Sequence, residues 1–228
     1  MHAVQVAFEI FQNRDGYLEK VSEDRYDSKI IKGQVLLIIM AALLYGIIMG
    51  SYNGFAQAIS SGLKLILLIF LTLLICFPSF YIVQLLLGSK MKLRQLIIII
   101  LGSLLMLSTI LVAFAPIVLF FQLSGSPYSF LQLLHFGVFV FAGIWSMRTV
   151  VEALKIACEK KNIYPKIGLV IFRLWIFILA FVGIQLSWNL RPFIGSKDIP
   201  FEIFRADTQT NIYATLIGAV GRLLHGAG

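Results

Sequence analysis

Five long runs of apolar residues, separated by short polar or turn-forming segments, set the pattern of this chain. They extend from about Gln34 to Ser51, Leu63 to Leu87, Leu96 to Leu123, Phe130 to Val150 and Ile167 to Leu190. Each is close to the roughly 20 residues that a helix needs to cross a bilayer core. In lipid the backbone has to satisfy its own hydrogen bonds, so such runs predict helices. The expectation is an all-α polytopic membrane protein, a bundle of five transmembrane helices with amphipathic surface helices at both ends. Pro78 and Pro116 fall inside the second and third runs, where each removes a backbone donor and predicts a kink.

The segments outside the runs divide the chain into three parts. Residues 1–32 form a cytoplasmic N-terminal segment that is first amphipathic and then charged. Gln5, Glu9 and Gln12 oppose Val4, Ala7, Phe8 and Phe11, the pattern of a helix on the membrane surface or against the bundle. Alternation of Val4, Val6, Phe8 and Ile10 also suits a strand. No basic region with a clean apolar core and cleavage site marks this segment as a secretory signal. Residues 33–190 form the transmembrane domain, and residues 191–228 a non-cytoplasmic tail. In that tail Ile212, Leu216, Val220 and Leu223 share the apolar face of an interfacial helix too short to span. Trp188, Arg191 and Phe193 read as interfacial anchors. The stripe Arg148, Glu152, Lys155 and Glu159 carries the fourth helix beyond the membrane as a solvated ledge.

Composition agrees with the pattern. Hydrophobic residues make up 59% of the chain and charged residues 13%. A soluble domain carries about a quarter charged residues, so a water-soluble fold is excluded. The formal charge of +8 raises the question of nucleic acid. The basic residues, however, sit beside apolar runs: Lys90, Lys92 and Arg94 in one link, Lys160, Lys161 and Lys166 in another. That placement favours anionic lipid headgroups and no nucleic acid. Links rich in Lys and Arg alternate with links that have none, which puts the N-terminus in the cytoplasm and the C-terminus on the far side.

Candidate chemistry concentrates between Tyr45 and Lys64. Gly46 and Gly50 share one helix face, where the missing side chains let another helix approach closely. Asn53-Gly54 marks a turn, and Tyr52 to Gly62 reads as the link between two spans. Tyr45, Asn53, Gln57 and Lys64, with His135 from the fourth run, are the candidate lining of a polar cavity. Lys64 also fits a lysine that lifts its ammonium to the headgroups, as Arg173 does, and His135 a hydrogen-bonded packing histidine. Ser60, Ser61 and Lys64 bring a Ser/Lys hydrolase to mind, without any oxyanion-hole signature. No catalytic motif, cofactor fingerprint or metal-ligand spacing accompanies them. Cys76 and Cys158 lie in dissimilar surroundings, and no disulfide is expected.

The run YGIIMGSYNG from Tyr45 to Gly54 and the segment FPSFYIVQLLLG from Phe77 to Gly88, set in a five-span topology, resemble the Yip1-type membrane proteins and their bacterial relatives. The charged tail from Arg191 departs from that compact pattern. The resemblance implies a helical membrane protein of membrane organisation or trafficking, with no catalytic site to transfer. Three functions follow as expectations. The first is a non-enzymatic scaffold or complex subunit, with membrane-protein partners or a second copy of itself. The second is a small-solute channel or transporter subunit, and the third an intramembrane hydrolase. A packed apolar interior distinguishes the first from the second, which needs a polar lumen.

Overall fold

The computed structural model describes residues 9–10, 12–13, 16–17, 20–21, 29–86, 92–161, 166–195, 201–204 and 212–224; at 86, 153–161, 166–173, 212–213 and 223–224 only the backbone is described. Six helices are delimited among these residues: α1 (Lys29–Gly50), α2 (Phe55–Leu86), α3 (Leu93–Leu123), α4 (Tyr128–Lys161), α5 (Lys166–Asn189) and α6 (Ile212–Leu224). The protein is all-α, and α1 to α4 each contain a stretch long and apolar enough to cross a membrane: Lys29–Gly50, Phe55–Leu85, Leu93–Leu123 and Tyr128–Glu152. The expected fifth span coincides with α5, whose described apolar part, Leu174–Asn189, is shorter.

α1 packs along α2 and α3, α3 along α4, and α5 rests on α2 with a lighter contact to α4. α3 is the interior helix: 72% of its most apolar stretch is buried, against 17% for α2. Ile98, Leu105, Leu111 and Val118 carry that burial along α3. Leu74 on α2, Ile144 on α4 and Phe177 on α5 point outward, as side chains facing lipid would. Both α2 and α3 continue as helix through their prolines. The carbonyls of Leu74 and Val112, which an ordinary residue four positions later would cap, lose that donor.

Ser51 to Asn53 form a turn, and Gly54, with φ of 132°, adopts a conformation that a side chain would strain. α2 begins immediately afterwards at Phe55. The stretch from Phe55 to Gly62, expected to belong to the link, is therefore helical. Its polar residues do not break the helix because Gln57, Ser61 and Lys64 lie at i, i+4 and i+7 and direct their hydrogen-bonding groups to one place outside it.

Close approach of α1 to α2 rests on glycine. A Cβ built on Gly46 would lie 2.7 Å from the Gly62 Cα and the Ser61 carbonyl, and one on Gly50 would lie 2.5 Å from the Gln57 carbonyl. Two helix backbones touch here, which is possible only without side chains between them. Gly62 completes the contact from the α2 side, where its Cβ would meet Leu43 at 2.9 Å.

In their described parts, both ends of the chain pack against the bundle. Ile10, Tyr17 and Val21 of the N-terminal segment are buried, packed into the core. Of the expected amphipathic helix itself, residues 1–8 lie outside the described residues. α6 docks on α4, where the Arg222 Nε donates to the Ser129 hydroxyl at 2.9 Å. The face that meets α4 is centred on Ala219, while Ile217 and Val220 are exposed. Val220 thus lies off the buried face and Leu216 is half-buried, while the side chains of Ile212 and Leu223 lie outside the described residues.

Candidate functional site

The polar residues between Tyr45 and Lys64 separate into two clusters. One forms where the start of α2 meets the chain beyond α5. After Leu190 the backbone leaves the helix through a cis Arg191–Pro192 bond and turns at Gly195, whose φ is 72°. The Pro192 and Phe193 carbonyls lie against α2. The Gln57 amide donates to Pro192 at 2.9 Å, to Phe193 at 3.1 Å and to the Ser61 hydroxyl at 3.1 Å. Ser61 in turn donates to the Phe193 carbonyl. The Lys64 ammonium donates to the Pro192 carbonyl at 3.0 Å and to the Ile203 carbonyl, and lies 5.2 Å from the centre of the Phe204 ring. Gln57, Ser61 and Lys64 are all buried, and Ile194 is buried with them. Asn53 adjoins the same segment: a Cβ on Gly195 would lie 2.6 Å from its amide nitrogen.

This arrangement closes polar groups against the chain's own backbone. Carbonyl oxygens that leave α5 without helical partners require donors when buried, and Gln57, Ser61 and Lys64 supply them. Ser61 and Lys64 are therefore held to the tail and not to one another, which is not the pairing of a nucleophile with its base.

The second cluster joins α1 to α4. The Tyr45 hydroxyl and the His135 Nδ1 are 2.9 Å apart, with the two rings edge to face at 5.7 Å between centres. Phe139 packs edge-on to Tyr45 at 5.8 Å. Both members of the pair are buried, and the His135 Nε2 has no hydrogen-bond partner among the described residues. One ring nitrogen is thus spent on tying two helices together, while the other remains available.

A third polar cluster lies near the start of α1 and α3. The buried Tyr17 hydroxyl donates to the Ile98 carbonyl at 3.1 Å and accepts from the Gln34 amide at 3.2 Å. Gln95 donates to the Val21 carbonyl at 2.9 Å and accepts from the Lys92 amide at 2.9 Å, so it caps α3 and holds the N-terminal segment at once. Glu9 and Lys20 form an ion pair within that segment. Burial pushes the Tyr17 phenol well above its ordinary pKa, an effect that the hydrogen bond from Gln34 opposes. Hydropathy alone does not single out Tyr17, Gln34, Gln95 or Gly102; the available signal is a glutamine within the first turns of each of α1 to α4, which must find a partner.

Of the basic residues expected at lipid headgroups, Lys92 is exposed and Arg94 partly buried. Lys90 lies outside the described residues, as do the side chains of Lys160, Lys161 and Lys166. Arg148 is exposed and stacks over Trp145 at 4.5 Å, while the side chains of Lys155 and Glu159 lie outside the described residues. No group of three or more His, Cys, Asp or Glu side chains able to hold a metal ion occurs among the described residues. Compared with protein-family models, with curated proteins and with solved structures, the chain matches none.

Proposed function

We propose that this chain is a non-enzymatic integral membrane scaffold or membrane-complex subunit, with five crossings, a cytoplasmic N-terminus and a non-cytoplasmic C-terminus. The observation that carries this reading is the engagement of Gln57, Ser61 and Lys64 with the tail. Donors that a solute path would display to water close instead against Pro192, Phe193 and Ile203. The apolar burial of α3 supports the same reading, since a conducting bundle needs polar groups along its axis. Membrane organisation or trafficking, the role implied by the Yip1-type resemblance, is the setting we assign. Its partners are anionic lipid headgroups together with other membrane proteins or a second copy of the chain.

A small-solute channel or transporter subunit is the second reading. It draws on the His135 Nε2 and the Gln57 Oε1, two buried polar atoms without partners among the described residues, which a passing hydrogen-bonding solute would satisfy.

Crosslinking in native membranes followed by flux measurement in proteoliposomes distinguishes the two. A scaffold crosslinks into species larger than the 25.6 kDa chain and leaves vesicles as tight to glycerol and small ions as protein-free ones. A saturable flux that disappears with His135→Phe would replace the scaffold by the channel. A chain that remains a lone monomer in native membranes would remove the scaffold reading altogether.

A further inference from the structure

Lys64 is a buried residue, 4% exposed, and no ion pair to a carboxylate holds it among the described residues. A buried cation without a counter-ion is costly unless dipoles replace its hydration. Here the replacement comes from one short segment of the chain. The carbonyls of Pro192 and Ile203 accept from the ammonium, and the Phe204 ring presents its electron-rich face at 5.2 Å. None of these groups carries a charge. Their arrangement selects a compact monocation with N–H donors and gives an anion nothing to bind.

We infer that the recess formed by the Pro192 and Ile203 carbonyls and the Phe204 ring is a binding site for a primary alkylammonium, filled in this chain by its own Lys64. The side chain acts as a tethered ligand. Because both carbonyls belong to the chain beyond α5, the guest also fastens residues 191–195 and 201–204 over the start of α2. Removing the tether takes the ammonium from both carbonyls; Pro192 keeps the Gln57 amide as a donor, and Ile203 loses the bond that held it to α2. That loosens the segment and opens the recess to a free amine of the same shape.

The test uses the full chain in lipid nanodiscs, with Cys76 and Cys158 replaced by alanine and Ile194→Cys as reporter, since Ile194 is buried beneath the fastened segment. Maleimide labelling of the reporter is slow with Lys64 present. Lys64→Ala accelerates it about tenfold, the equivalent of roughly 1.4 kcal/mol, as loss of a charge-assisted hydrogen bond implies. Propylammonium, which restores the carbon and nitrogen atoms removed by the substitution, returns labelling to the slow rate with saturation. Tetramethylammonium, equally charged but without N–H donors, leaves it fast. Unchanged labelling in Lys64→Ala, failure of propylammonium to slow it, or equal rescue by tetramethylammonium would each overturn the assignment. Phe204→Leu alters a largely exposed position and leaves Lys64 in place, so it reports even where Lys64→Ala does not fold. Labelling should rise severalfold with it, and an unchanged rate would likewise remove the site.

Discussion

Tyr17 donates its hydroxyl to the carbonyl of Ile98 at 3.1 Å, across a sequence separation of 81 residues. The contact has room only because residue 102 is glycine: a Cβ there would lie 2.5 Å from the Tyr17 hydroxyl oxygen. A segment that precedes the first apolar run is thereby built into the space between α1 and α3.

Gly102→Ala should expel the Tyr17 ring at a cost of about 1–3 kcal/mol, the usual range for overpacking. Tyr17→Phe keeps the ring and loses the hydrogen bond, for about 0.5–1.5 kcal/mol. Denaturant unfolding in detergent micelles measures both. A Gly102→Ala variant as stable as the parent would show that the ring does not occupy this position.

The same contact predicts an alkaline limit. Burial raises the folded-state pKa of Tyr17 above its ordinary value of about 10, so the unfolded chain releases the proton first. The contribution is complete below about pH 10 and is lost as pH rises from there toward the folded-state value. Tyrosinate difference absorbance between the parent and Tyr17→Phe should show one tyrosine ionising late. Tyr17→Phe should also lose stability less steeply on the alkaline side. Identical alkaline stability profiles would rule the linkage out.

Replacing both Gly46 and Gly50 with isoleucine drives branched side chains into the α2 backbone. Overpacking of roughly 1–3 kcal/mol per site is expected, with a fall in accumulation and in detergent resistance. Alanine at the same positions intrudes less, yet a Cβ at Gly50 would already lie 2.5 Å from a backbone oxygen, so Gly50→Ala should also be measurable by thermal unfolding. A double isoleucine variant that accumulates and assembles like the parent would mean that α1 and α2 do not meet through these glycines.

The proposed orientation predicts opposite readings from two reporter fusions. One placed after Gly228 should read non-cytoplasmic, and one placed between Lys160 and Lys166 cytoplasmic. The same compartment for both would exclude five crossings with the present order of helices.

Much of the architecture was legible in the sequence because it depends on quantities that are local. A run of about 20 apolar residues specifies both a helix and its apolar surroundings, whatever lies elsewhere in the chain. That is why α1 to α4 coincide with apolar runs and why the Gly46 and Gly50 face could be named. It is also why the end of α2 nearest Phe55 was misread: a hydropathy pattern treats Gln57, Ser61 and Lys64 as a polar link, although hydrogen bonding does not prevent a helix from carrying them.

By itself the sequence determined the solvent of this protein, its helical class and the positions of its polar side chains. Tertiary structure alone decided where those side chains spend their hydrogen bonds. The partners of Tyr17, Gln57 and Lys64 lie 81, 135 and 128 residues away along the chain. Their pairing follows from helix packing and from the path of segments with no hydropathy signature of their own. A buried donor must find an acceptor, but the requirement does not specify which one, and only the folded arrangement supplies the answer.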